Sequence, residues 1–160
     1  MALNLQTTTL NILLADDDID DRFFFDSALK ELSIKTHLTT VNDGEQLMDY
    51  LYKQLKHPPD VLFLDLSMPR KSGIECLAEM KEHIKLKDIP VVMFSTSYSR
   101  DKNYEQNMIQ MIYNIGANDF IRKPSNIGLL KDIIYESLHK VIENKALVKE
   151  EKWIFTPPSV

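Results

Sequence analysis

The chain has 160 residues, 44% hydrophobic and 27% charged, with a formal net charge of -5. That length suits one domain with a real core, and the mild acidity argues against a nucleic-acid partner gathered by general electrostatics. A single cysteine, Cys76, excludes an intrachain disulfide and a cysteine metal cluster; no apolar run approaches the ~20 residues of a membrane span, and Met1 to Leu10 lacks a signal-peptide pattern, so the expectation is a cytosolic protein with no membrane contact.

Asn11 to Ala15 is a short apolar run closing on Asp16-Asp17-Asp18, and it reads as a buried strand. Phe24, Phe25, Ala28, Leu29 and Leu32 follow at helical spacing, with Asp18 as N-cap and Asp20 and Asp21 at the positive helix end. Ile34 to Val41 reads as a second strand. Asp43-Gly44-Glu45-Gln46 opens a helix with a capping-box glutamine, and Leu47, Met48, Leu51 and Leu55 form its stripe. Pro58-Pro59 closes that segment.

Val61-Leu62-Phe63-Leu64 is the clearest strand, continuous in apolar residues and ending on Asp65. Ser72-Gly73-Ile74-Glu75 caps a third helix whose face is read as Ile74, Leu77, Ala78 and Ile84. Ile89 to Phe94 is a fourth strand closing on Ser95-Thr96-Ser97. Residues 97 to 107 form a long polar approach to a helix carrying Tyr104, Met108, Met111, Ile112 and Ile115, stopped at Gly116. Asn118 to Arg122 is a fifth strand, followed by Lys123-Pro124. Ser125 or Asn126 caps a last helix with Ile127, Leu130, Ile134, Leu138 and Val141 on one face. Strand–helix, five times over, implies an α/β fold with a parallel sheet covered by helices on both faces through right-handed crossovers.

In such a sheet, chemistry gathers at the carboxyl ends of the strands. Asp16 and Asp17, Asp65, Ser95 and Lys123 all fall there and converge on one edge. Three carboxylates in one place repel unless a cation joins them, and oxygen ligands of this kind suit Mg²⁺ held with waters and phosphate. The hydroxyl and the ammonium suit an anionic group beside the metal, such as a phosphoryl.

These residues resemble the receiver domain of two-component response regulators. The likeness rests on Leu13-Leu14-Ala15-Asp16-Asp17, Leu62 to Pro69, Ile89 to Ser95 and Gly116 to Pro124, and it covers roughly residues 9 to 143. It implies a flavodoxin-like (CheY-like), doubly wound five-stranded sheet in the order 2-1-3-4-5, in a single-domain response regulator of a phosphorelay. By that resemblance Asp65 takes a phosphoryl group from a phosphohistidine. Asp17, Asp65 and the Ser67 backbone carbonyl bind Mg²⁺, with Asp16 acting through water. Ser95 and Lys123 meet the phosphoryl oxygens, Phe120 is the aromatic switch that follows Ser95, and the Lys123–Pro124 bond is cis. The partner implied is a sensor histidine kinase, as for small phytochrome-type receivers, or a phosphotransfer protein, with no nucleic acid. Residues 144–160 are expected to be a tail and not an output domain.

Thr96 departs from the small residue usual in the family after the switch hydroxyl, and the stretch between Ser95 and Lys123 is long. Asp16-x-Asp18-x-Asp20 fails as a calcium loop, since Asp21 stands where that loop needs glycine. His37, His57, His83 and His139 lack metal-ligand spacing, and Cys76 reads as a core residue. Trp153-Ile154-Phe155 can pack on the domain or dock on a second copy or partner, and a homodimer stays open on that account. An aspartyl-phosphate phosphatase would want an acid where Ser67 stands, and a flavin protein would want a neutral phosphate loop where Asp16 to Asp18 stand. An adaptor that takes no phosphate is the remaining alternative. The leading reading is a signalling module that turns over no external substrate.

Overall fold

The computed structural model describes residues 8–96 and 101–154, with side chains as far as 144. Five strands, β1 (Leu10–Ala15), β2 (Thr36–Val41), β3 (Val61–Leu64), β4 (Val91–Ser95) and β5 (Asp119–Arg122), alternate with five helices. The helices are α1 (Ile19–Lys30), α2 (Gly44–Lys53), α3 (Gly73–Glu82), α4 (Lys102–Ile115) and α5 (Ile127–Ile154). All four strand pairs are parallel, in the order β2-β1-β3-β4-β5.

The apolar runs are continuous because the central strands are covered on both faces. Successive side chains alternate between two cores. Ile12, Leu14, Val61, Phe63, Val92 and Phe94 meet α1 and α5 through Phe25, Leu29, Leu130, Ile134 and Leu138. Leu13, Ala15, Leu62, Leu64, Val91 and Met93 meet α2, α3 and α4 through Leu47, Leu51, Leu77, Met80 and Ile112. Phe25, Phe63 and Phe94 pack edge-on around one another in the first of these cores, an arrangement that suits the ring quadrupoles.

Helix starts follow the expected caps. Asp18 Oδ1 accepts from the backbone N–H of Asp20 and Asp21. Asp43 accepts from Gln46, whose own side chain accepts from Asn42 N–H. Ser72 Oγ accepts from Glu75, and Asn126, not Ser125, caps α5 through Gly128 and Leu129. Gly116 ends α4 at φ 129°, a backbone region costly for residues with a Cβ.

Several expected faces are corrected. On α1 the core contact is made by Phe25, Ala28 and Leu29, whereas Phe24 turns outward beside Phe23. On α3 it is Cys76, Leu77 and Met80 that are buried, and Ile84 is exposed because the helix ends at Glu82 and the phase is lost. Tyr104 and Met111 on α4 and Ile127 on α5 are also exposed. The fourth helix starts at Lys102, inside the stretch expected to be an approach loop, capped by Asp101. Glu105 is buried in its first turn and pairs with Arg122 of β5. The Lys123–Pro124 bond is trans, not cis; trans is the favoured isomer even before proline, by about 0.5–1 kcal/mol. Helix α5 continues as one element past residue 143 to Ile154, and the packing expected of Trp153 to Phe155 lies outside the described side chains.

The turn from β3 into α3 is the tightest part of the fold. A Cβ on Gly73 would stand 2.0 Å from the Asp65 carbonyl oxygen, and one on Gly44 would stand 2.1 Å from that of Lys71. Arg70 adopts φ 70° and reaches Asp43 and Glu45 at the start of α2. Gly73→Ala is therefore expected to lower unfolding free energy by about 1–3 kcal/mol, as overpacking against backbone does. Urea denaturation should show an earlier midpoint at an unchanged slope, whereas Gly128→Ala, whose Cβ would approach only the Asn126 side chain at 3.1 Å, should cost less.

Candidate functional site

Strand register delivers the polar residues. Ala15 pairs with Leu64, Leu64 with Met93, and Ser95 with Arg122. Asp16, Asp65 and Lys123 each come one residue after a strand ends, and their backbone N–H groups donate to Val41, Ala15 and Ser95 carbonyls. Side chains from three strands thereby reach one edge of the sheet.

Asp16 and Asp65 are buried, at 1% and 8% exposure, while Asp17 is open to solvent. One carboxylate oxygen from each of the three lies within 4.8 Å of the other two. Three oxygens so placed, two buried and one facing water, fit a hard divalent cation that keeps part of its water shell. Asp16 Oδ1 accepts from Asp18 N–H at 2.9 Å, and Asp65 Oδ1 accepts from Ser67 N–H at 3.3 Å. Arg22 donates to the Asp16 carbonyl at 2.7 Å, tying α1 to the end of β1.

Lys123 supplies the positive charge. Its buried Nζ is 2.6 Å from Asp16, 2.9 Å from Asp21 and 3.5 Å from Asp65. It also lies 5.5 Å from the centre of the Phe94 ring, within cation–π range. Ser95, at 1% exposure, closes β4 beside it, and Thr96 is exposed. Phe120 is half-buried and packs against the α2–α3–α4 core. Tyr113 on α4 donates to Asp119 and accepts from Phe120 N–H. Ser67 itself is exposed in the loop after Asp65.

All the residues expected at the site except Phe120 are thus gathered at this edge. Asp21 joins them, 2.9 Å from Lys123 Nζ, although nothing in the sequence singles it out as a site residue. In sequence it is one of several acids favouring a helix start; only the fold reveals that it stands one turn after Asp17, against Lys123.

Burial pushes the Asp65 carboxyl up to about 6, opposed by the Lys123 charge and reinforced by Asp16 and Asp17. Asp16 is raised too, chiefly by burial, with the Lys123 hydrogen bond pulling the other way. Burial lowers the Lys123 pKa, but its bonds to Asp16 and Asp21 outweigh this and leave it raised. Its ammonium therefore stays charged at neutral pH. By contrast, burial takes the Cys76 thiol to about 11, which makes it inert as a nucleophile.

A raised carboxyl costs stability when ionised. Below about pH 4 Asp65 is protonated in both folded and unfolded chains and costs nothing; between about 4 and 6 only the unfolded chain ionises, so stability falls as pH rises; above 6 the loss is complete. A shift of that size corresponds to about 2–3 kcal/mol. Asp65→Asn is expected to unfold at higher urea than wild type at pH 7.5 in EDTA, with the gain gone near pH 4. An equal midpoint at both pH values would show that Asp65 ionises freely in the fold.

A model of the response regulator receiver domain matches residues 12–135. Response regulator Rcp1 of Synechocystis sp. is 33% identical over 126 residues, 76% of this chain and 80% of Rcp1. Among solved structures, the phosphorylated cyanobacterial phytochrome response regulator RcpA matches at 33% identity and TM-score 0.69, over 79% of this chain and 89% of that one. The Mn²⁺-bound form of Rcp1 matches at 30% identity and TM-score 0.67, over 78% of this chain and 88% of that one. With the sheet order and the acid cluster already in place, these matches show that the chain belongs to the response regulator receiver domain family.

Proposed function

We propose that residues 9 to 143 form the receiver unit and that Asp65 is its phosphoacceptor. The observation that carries this is the gathering of Asp16, Asp17 and Asp65 around one edge with Lys123 Nζ among them. Phosphorylation by a histidine kinase is standard for this family. An Asp65 oxygen forms a bond to phosphorus as the P–N bond of a phosphohistidine breaks, and the imidazole nitrogen keeps the electron pair. Such transfer depends on in-line placement and on neutralising the equatorial oxygens.

Asp17, Asp65 and the Ser67 carbonyl are the ligands proposed for Mg²⁺, with Asp16 acting through water. Mg²⁺ held by these residues would supply positive charge against the phosphoryl oxygens. Lys123 takes one of those oxygens and the Ser95 hydroxyl another. Phe120 changes its packing in response, which biases a two-state equilibrium read by a partner. The Mn²⁺ in the Rcp1 structure supports the cation, and the phosphorylated RcpA structure supports the chemistry.

The partner proposed is a sensor histidine kinase of the phytochrome type, since RcpA is a phytochrome response regulator and another similar protein, 27% identical to this chain, is a bacteriophytochrome response regulator. A phosphotransfer protein would serve the same step, and self-association is the alternative output. No helix among the described residues is long and apolar enough to cross a membrane, which agrees with action in the cytoplasm. The module turns over no external substrate in this reading.

Incubated with Mg²⁺ and acetyl phosphate, the wild type should gain one phosphoryl group by intact mass, and EDTA should prevent it. Asp65→Asn should gain none. Lys123→Ala should keep its affinity for the cation within about threefold while losing most of its uptake rate, because the ammonium acts on the phosphoryl oxygen. Uptake by Asp65→Asn at the wild-type rate would move the reaction to another residue.

A further inference from the structure

Asp21 has no part in the reading above, yet it holds the charge on which that reading depends. It sits in the first turn of α1, and its side chain is 31% exposed. Its Oδ2 accepts from Lys123 Nζ at 2.9 Å. It is not one of the three acids whose oxygens cluster for a cation. The ammonium accordingly stands nearer to Asp16 and Asp21 than to Asp65, at 2.6 and 2.9 Å against 3.5 Å.

We propose that Asp21 is a positioning residue that restrains Lys123, so that part of the ammonium's charge is withheld from a phosphoryl oxygen arriving on Asp65. The inference rests on the assignment of Asp65 as phosphoacceptor. Asp16, Asp17 and Asp65 are the acids whose oxygens cluster for a cation. Asp21 lies outside that set and stays on the ammonium. A carboxylate held on the ammonium competes with a phosphoryl oxygen for the same positive charge. The competition is only partly screened, because the pair is partly withdrawn from water. Asp21 also lines a pocket of about 360 Å³ together with Phe24, Phe94, Thr96 and Lys123. Its side chain thus stays partly open to solvent beside the ammonium.

Removing the charge while keeping the shape should release Lys123. In Mg²⁺ and low salt, Asp21→Asn is expected to take up phosphoryl from acetyl phosphate about three- to tenfold faster than wild type, the scale of one partly screened charge at contact distance. Beryllofluoride, followed by fluorine NMR, should half-saturate it at a correspondingly lower concentration. Asp21→Glu should return to wild-type behaviour within about twofold, and raising the ionic strength should shrink the difference. In a Lys123→Ala background, Asp21→Asn should change nothing further, since the effect runs through the ammonium. A damaged fold slows uptake, so a gain cannot come from structural loss. Unchanged or slower uptake in Asp21→Asn beside a normally labelled wild type overturns the restraint and leaves the Asp65 assignment standing. A wild type that takes no label overturns both.

Discussion

Everything at the functional edge depends on how one ammonium is shared among several carboxylates. Asp16 and Asp65 are buried, and ionised carboxylates withdrawn from water are costly unless something positive answers them. Lys123 answers them, itself 8% exposed and within 3.5 Å of both. Burial raises the Asp65 and Asp16 carboxyls further than the single Lys123 charge lowers them, and the neighbouring acids add to the rise. A site left short of positive charge is one that gains by taking up a cation. The same shortage explains why Lys123 is tightly held: with two acids at hydrogen-bond distance, it retains its proton despite burial.

That electrostatic arrangement is only as good as the backbone that presents it. The turn after Asp65 is held from several sides. Gly73 lets α3 begin against the Asp65 carbonyl, Gly44 lets α2 approach Lys71, and Arg70 spans to Asp43 and Glu45. Lys71 itself pairs with Glu79 on α3, and Glu79 also accepts from Tyr52 on α2. The loop bearing Ser67 is thus fastened to two helices. A site that must bind a cation and then a phosphoryl group benefits from such prior placement, because little ordering is left to occur on binding.

The fold was legible in the sequence wherever burial was two-sided. Val61 to Leu64 and Leu13 to Ala15 are continuous apolar runs because both faces of those strands meet helices. Caps at Asp18, Asp43 and Ser72 were legible because a short polar side chain before an apolar period has a local physical reason to be there. What could not be read was anything decided by a distant partner. The start of α4 at Lys102 was hidden because its first turn is polar, and its buried Glu105 makes sense only opposite Arg122 on β5. Asp21 was indistinguishable from Asp20 in sequence, since both favour the start of a helix. Only the rotation of α1 against the sheet turns Asp21 toward Lys123, 102 residues away. Helical spacing places Phe24 and Ile127 on buried faces, yet both are exposed, because spacing alone does not determine which residue of an adjacent pair the neighbouring elements cover.

The five-residue set itself was legible for a different reason, which lies in the topology. A parallel sheet places every strand's carboxyl end on the same side, so a polar residue immediately after each apolar run needs no further information to be placed near the others. The ladder then sets the fine position. Asp65 N–H donates to the carbonyl of Ala15, and Lys123 N–H donates to that of Ser95, so each charged residue is fixed by the last hydrogen bond of its own strand. A one-residue slip in either pairing would turn the side chain to the opposite face of the sheet. Asp65 would then leave Lys123, and the buried ammonium would lose one of its acids. The apolar alternation that builds the two cores and the charge pairing at the edge therefore select the same register.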